Sequence, residues 1–213
     1  MKQVYKDGLK KVLKKNNEEE WWQRSRWCAR RILSAVCFRE SAFSCYKKNE
    51  SILLPLIGYY YSVFHIGVAI LYMEYTTDLS LLRRIGHKRL INLVNEKLIQ
   101  TNLIEKSFAQ CLIDLRKYRE YANYTLGGKM ISDDEFNFKK VVQGLYDETG
   151  KCFDVGLSFI FAILKEIESR LEIASPIATA IGDDIGDEVY SMYLPSSDKK
   201  RVIDYLLSKE LST

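Results

Sequence analysis

The side chains best suited to chemistry here are arginines, an amide and a scarce pair of histidines. Arg116 and Arg119 lie in the run Leu115-Arg116-Lys117-Tyr118-Arg119-Glu120-Tyr121-Ala122-Asn123-Tyr124. On an α-helix, Arg116 and Asn123 project within roughly 20° of each other, with Arg119 about 60° away. They flank the apolar stripe of Leu115, Tyr118 and Ala122. Such an edge, with Tyr124 beside it, can cradle a phosphate or nucleotide, because each guanidinium offers a planar fork of donors. The same arginines can instead pair with Asp114 or Glu120, and exposed pairs of that kind contribute little.

A second basic group, Arg24, Arg26, Arg30 and Arg31, is interleaved with Trp21, Trp22 and Trp27. Mixed cations and aromatics can hold phosphates and stack bases. The competing reading is a solvated helix face whose tryptophans dock on the core or in a dimer seam. Of the two histidines, His65 sits on an apolar helix between Tyr61 and Ala69 and reads as a core residue. His87, beside Gly86 and Lys88, reads as accessible; if the fold brings it to the arginines, it can move protons near neutral pH.

Five cysteines (Cys28, Cys37, Cys45, Cys111, Cys152) form no C-x-x-C pair, and no H-E-x-x-H occurs, so no metal site and no cofactor is expected. An odd, dispersed set of thiols fits buried apolar residues in a reducing compartment better than a disulfide framework. The opening MKQVYKDGLKKVLKKNNEEE is basic but lacks the apolar run of a secretory signal. A cytoplasmic location is therefore expected.

The elements that must position these groups all read as helices. The chain has 213 residues and a net charge of +4, from 32 Lys/Arg against 28 Asp/Glu, which by itself names no partner. The average hides segregation: residues 1–50 hold 13 Lys/Arg and 6 Asp/Glu, a net of +7, and residues 166–190 hold one Arg and seven Asp/Glu, a net of −6. Only 3 prolines and 11 glycines punctuate the chain, too few for a many-turned β sandwich, and no stretch alternates with strand period. Helical patterns run over 18–48, from His87 through Ile99, from Glu105 through Ala122, and over 134–172 with an interruption near Gly144 or Gly150. Asn16 and Asn17 are cap candidates before Glu18, Glu19 and Glu20.

Ile52 to Met73 carries no formal charge and is long enough to span a bilayer. Its His65, Pro55 and four tyrosines favour instead the central helix of a bundle. Gly127-Gly128 ends one helix, and Ser175-Pro176 precedes two short ones over 183–192 and 198–211. The expected class is all-α, an up-and-down four- to five-helix bundle over 21–172. A basic N-terminal arm or helix over 1–20 precedes it and a helical extension over 176–213 follows it.

Three stretches occur in an order that resembles the HEPN superfamily: Tyr60-Tyr61-Ser62-Val63-Phe64-His65, the helix opening at His87, and Leu115 to Tyr124. The resemblance spans about residues 25–165 and is to the small stand-alone members of prokaryotic toxin–antitoxin and phage-defence systems. It implies a helical bundle, usually dimeric, and an R-x4–6-H motif that cleaves RNA without metal. In that motif the Arg steadies charge on the phosphate and the His moves a proton. This chain departs at the decisive position. No Arg has a His five to seven residues downstream, and the residue seven after Arg116 is Asn123, which cannot exchange protons at neutral pH. The resemblance thus implies RNA or nucleotide binding by Arg116, Arg119, Asn123 and Tyr124. Cleavage is a further expectation only if His87 substitutes for the missing histidine. The alternative is a non-catalytic antitoxin or scaffold that docks a cognate protein through 166–190 and the C-terminal helices.

Overall fold

In the computed structural model of the chain, residues 3–13, 17–48, 51, 53–125 and 138–171 are described. The elements among them are helices: α1 (Gln3–Val12), α2 (Glu18–Lys47), α3 (Leu53–Met73), α4 (Leu79–Leu82), α5 (His87–Leu93), α6 (Lys106–Glu120) and α7 (Phe138–Leu171). The expected all-α bundle is what forms. Two π turns, Val94–Ile99 and Tyr121–Thr125, continue α5 and α6. The expected Gly127-Gly128 stop and the extension over 176–213 lie outside the described residues. The long C-terminal helix runs unbroken through Gly144 and Gly150, so the expected interruption is absent. A glycine within a helix costs only about 1 kcal/mol against alanine, which packing on the core readily offsets.

The apolar helix α3 is the axis of the molecule. It is buried along most of its length, as expected for a helix without a polar face, and α2, α5, α6 and α7 pack around it. By length and composition it could also cross a membrane, yet most of its apolar stretch is covered by the other helices. The side chains of α3 that reach the surface or lie half-buried are Leu53, Leu54, Ile57, Tyr61 and His65. Helices α2 and α3 run antiparallel, as the pairs Trp27–Tyr72, Arg31–His65 and Phe38–Tyr61 show. With α6 and α7 they form an up-down-up-down bundle.

Two glycines let the backbones approach closely. A Cβ on Gly58 of α3 would lie 2.8 Å from the Ala42 Cβ of α2, and one on Gly156 of α7 would lie 2.7 Å from Ile66 Cγ1. The basic N-terminal segment is helical over α1 and packs on the bundle where it is described. Leu9 and Leu13 of that segment are buried, and Tyr5 packs on Tyr75 and Phe159.

Buried arginines pin the ends of the bundle. Arg24, 4% exposed, donates to the carbonyls of Tyr72 (3.1 Å), Glu74 (3.4 Å) and Thr77 (2.9 Å), just past the C-terminus of α3. A helix leaves its last carbonyls unsatisfied and partly negative, so a cation there answers both needs. Glu74 folds back to accept from Thr76 N (3.0 Å) and from the Thr76 and Thr77 hydroxyls (2.9 and 2.6 Å). At the other end Arg39 lies 3.9 Å over the Tyr146 ring and pairs with Glu40 at 3.0 Å, tying α2 to α7.

Candidate functional site

A band of aromatic and basic groups crosses the surface where α2, α3, α5 and α6 meet. Its floor is Tyr60, Tyr61 and Phe64, one turn of α3. His87, the first residue of α5, comes down on this floor, with ring centroids 5.3 Å from Tyr60, 6.0 Å from Tyr61 and 5.1 Å from Phe64. Its Nδ1 shares a short hydrogen bond with the Tyr60 hydroxyl. From α6, the Arg119 guanidinium lies over the same two tyrosines, 5.6 Å from the Tyr60 ring centre and 5.9 Å from that of Tyr61. Histidine and arginine, 32 residues apart in sequence, are thus neighbours on one tyrosine pair.

The electrostatics follow from that placement. Partial burial, then the charges of Arg119 and Arg116, hold the His87 imidazole below its ordinary pKa, so the ring is neutral near pH 7. Burial raises the Tyr60 phenol above its ordinary value despite Arg119, and it stays protonated. A phenol both donates and accepts, so Tyr60 supports either neutral tautomer of His87. In one, Nε2 donates; in the other, Nε2 is a base. Arg119 makes no ion pair among the described residues, and its Nε is buried without a hydrogen-bond partner. A guanidinium so placed has unmet capacity for an anion.

Other expected site residues divide. Arg116 is near the cluster but bridges Glu120 at 2.7 Å, as the alternative reading allowed. Asn123 is exposed and lies in the π turn at Tyr121–Thr125 that continues α6. The Tyr124 side chain lies outside the described residues. Arg24 must be withdrawn from the RNA-facing set, since it is buried and spent on backbone carbonyls at the end of α3. Arg26 is exposed, while Arg30 and Arg31 are half-buried, Arg30 lying 5.3 Å over the Trp27 ring. Trp21 is docked in the core, whereas Trp22 and Trp27 keep 46% and 36% of their surface.

His65 is not the sealed core residue its helix suggested. It is half-buried, stacks on Phe38 with ring centres 5.4 Å apart and 9° between planes, and accepts from Arg31 at 3.1 Å. Burial, reinforced by the Arg31 charge, lowers its pKa to about 3.

No protein-family model matches the chain, and the searches of curated proteins and of solved structures yield no significant match.

An open groove of about 640 Å³ between α6 and α7 is separate from this band. Glu105, Asp114, Glu148 and Asp154 outnumber Lys151 on its walls, and Cys111 and Cys152 meet at its floor. The contact with Cys152, then burial, raises the Cys111 thiol, so it is a poor thiolate nucleophile. The surplus of carboxylates makes the groove unsuited to a phosphate. Among the described residues no cluster of three or more His, Cys, Asp or Glu could hold a metal ion.

Proposed function

We propose that the protein is a HEPN-like RNA-binding protein of a prokaryotic defence or toxin–antitoxin system, acting in the cytoplasm as a homodimer. In this reading it cleaves RNA without a metal through His87 and Arg119. The observation that carries it is the meeting of His87 and Arg119 over Tyr60, which supplies from a different helix the histidine missing after the arginines. Arg119, with Arg116 behind it, steadies charge gathering on the phosphate. Neutral His87 takes the proton of the ribose 2′-hydroxyl through Nε2. The 2′-oxygen bonds to phosphorus, the P–O5′ bond breaks, and the departing 5′-oxygen is protonated by solvent. The products are a 2′,3′-cyclic phosphate and a 5′-hydroxyl.

The test is cleavage of a labelled single-stranded RNA in excess EDTA. His87→Gln should lower the rate by about 10²–10⁴ while leaving RNA affinity within a fewfold. Arg116→Ala/Arg119→Ala should weaken binding and abolish cellular toxicity. Unchanged RNA binding and unchanged toxicity in that double variant would remove the site assignment.

A second reading, a non-catalytic antitoxin or scaffold, draws on the carboxylate-rimmed groove between α6 and α7, which suits a cationic protein surface better than RNA. It expects deletion of 176–213 to abolish capture of a partner, with His87→Gln silent in every assay.

A further inference from the structure

The band continues past Tyr61 to a second arginine–histidine pair, Arg31 and His65, that the cleavage chemistry above does not use. Tyr61 has His87 on one side, at 6.0 Å between ring centres, and His65 on the other, at 6.5 Å. Phe64 touches both imidazoles, at 5.1 and 5.5 Å. Arg31 donates to His65 Nδ1, and since arginine can only donate, the neutral imidazole carries its proton on Nε2 and offers a further donor. Arg31 also hydrogen-bonds the Tyr72 hydroxyl, and Arg83 lies near enough to act on that phenol. No carboxylate among the described residues pairs with Arg31, Arg83 or Arg119. Phe38, 38% exposed, stacks on both Tyr61 and His65 and presents an aromatic face beside the cations.

We propose that Arg31 and His65 form a second phosphate subsite, and that Tyr61 with Phe38 seats the base between it and the Arg119–His87 site. The ligand class this defines is a single strand of RNA with at least two consecutive phosphates. The proposal rests on the reading of the Arg119–His87 cluster as an RNA site. Its support is the pattern itself: cation, aromatic, cation along one face, with unneutralised guanidinia at both ends. A duplex cannot use it, because its bases are stacked inside and cannot lie on Tyr61.

The experiment is fluorescence anisotropy with the full chain against a labelled single-stranded dodecamer, its duplex, and a mononucleotide as competitor, over a range of salt. Wild type should favour the single strand over the duplex by at least tenfold. Arg31→Ala should weaken dodecamer binding about tenfold, lower the log–log salt slope by about 0.7, and leave mononucleotide competition unchanged. Tyr61→Ala should weaken the dodecamer at least fivefold. Arg119→Ala should weaken both ligands. Equal dodecamer affinity and salt slope in wild type and Arg31→Ala, with Arg119→Ala still impaired, would overturn the second subsite and spare the first. Absence of binding by wild type would overturn both. Should Phe38→Ala and Arg31→Ala dissociate a dimer in sedimentation while RNA affinity holds, the face belongs to a subunit contact and the proposal fails. Circular dichroism on each variant confirms that the helices remain.

Discussion

Replacing Arg24 separates a structural cation from a ligand-binding one. The sequence places Arg24 among Arg26, Arg30 and Arg31, in a segment that reads as a basic, tryptophan-rich strip. The structure buries it, with three carbonyl acceptors at 2.9–3.4 Å and Glu20 at 2.8 Å. Glu20 is about half exposed, so that pair contributes under about 1 kcal/mol. The carbonyls matter more. A hydrogen bond from a charged donor contributes about 1.5–3 kcal/mol, and leaving buried acceptors unsatisfied incurs their desolvation as well. Allowing for overlap among three acceptors, Arg24→Ala should destabilise the fold by about 3–5 kcal/mol, a large part of a typical stability of about 5–15 kcal/mol. In urea unfolding followed by far-ultraviolet circular dichroism, with a slope near 2 kcal/mol per molar, the midpoint should fall by about 2 M. Arg26→Ala, which removes an exposed side chain with no ion pair among the described residues, should stay within about 0.5 kcal/mol of wild type. RNA affinity measured at low temperature, where Arg24→Ala remains folded, should equal that of wild type. An unmoved midpoint together with weakened RNA binding would refute the reasoning and return Arg24 to the ligand-facing set.

Other outcomes follow from the same structure. His65 is held at about 3 against an ordinary 6.5, so between those values the unfolded chain binds a proton that the folded chain does not. Its contribution is therefore fully present above pH 6.5 and is lost as pH falls, by up to about 1.4 kcal/mol for each pH unit; a urea series should show that slope flattened in His65→Phe. Gly156→Val should cost about 1–3 kcal/mol, since even a Cβ there sits 2.7 Å from Ile66. Gly144→Ala on the same helix meets nothing within 4 Å and should stabilise by up to about 1 kcal/mol, so equal midpoints for the two variants would contradict the packing of α7 on α3.

The helices themselves were legible because periodicity is a local property. The stripe of Phe108, Leu112 and Leu115 declares α6, and the uncharged run ending at Met73 declares a helix that must be covered on all sides. Helical spacing put Arg119 on one edge with Arg116, and the resemblance made that edge and His87 candidates. Local pattern also misled in specific ways. Arg24 looks like its neighbours until the end of α3 arrives from 48 residues away, and His65 looks like a sealed core residue until Arg31 reaches it from α2.

Sequence by itself determined that the chain is helical, that its cations are unevenly placed, and that no arginine is followed by a histidine at the spacing of the motif the resemblance implies. Only the tertiary structure decided that His87 lands on Tyr60 beside Arg119 and that Arg31 reaches His65. The reason is geometric. A helix fixes the directions of its own side chains, but which two faces meet depends on close approaches such as Gly58 against Ala42, and these are set by the packing of the whole bundle.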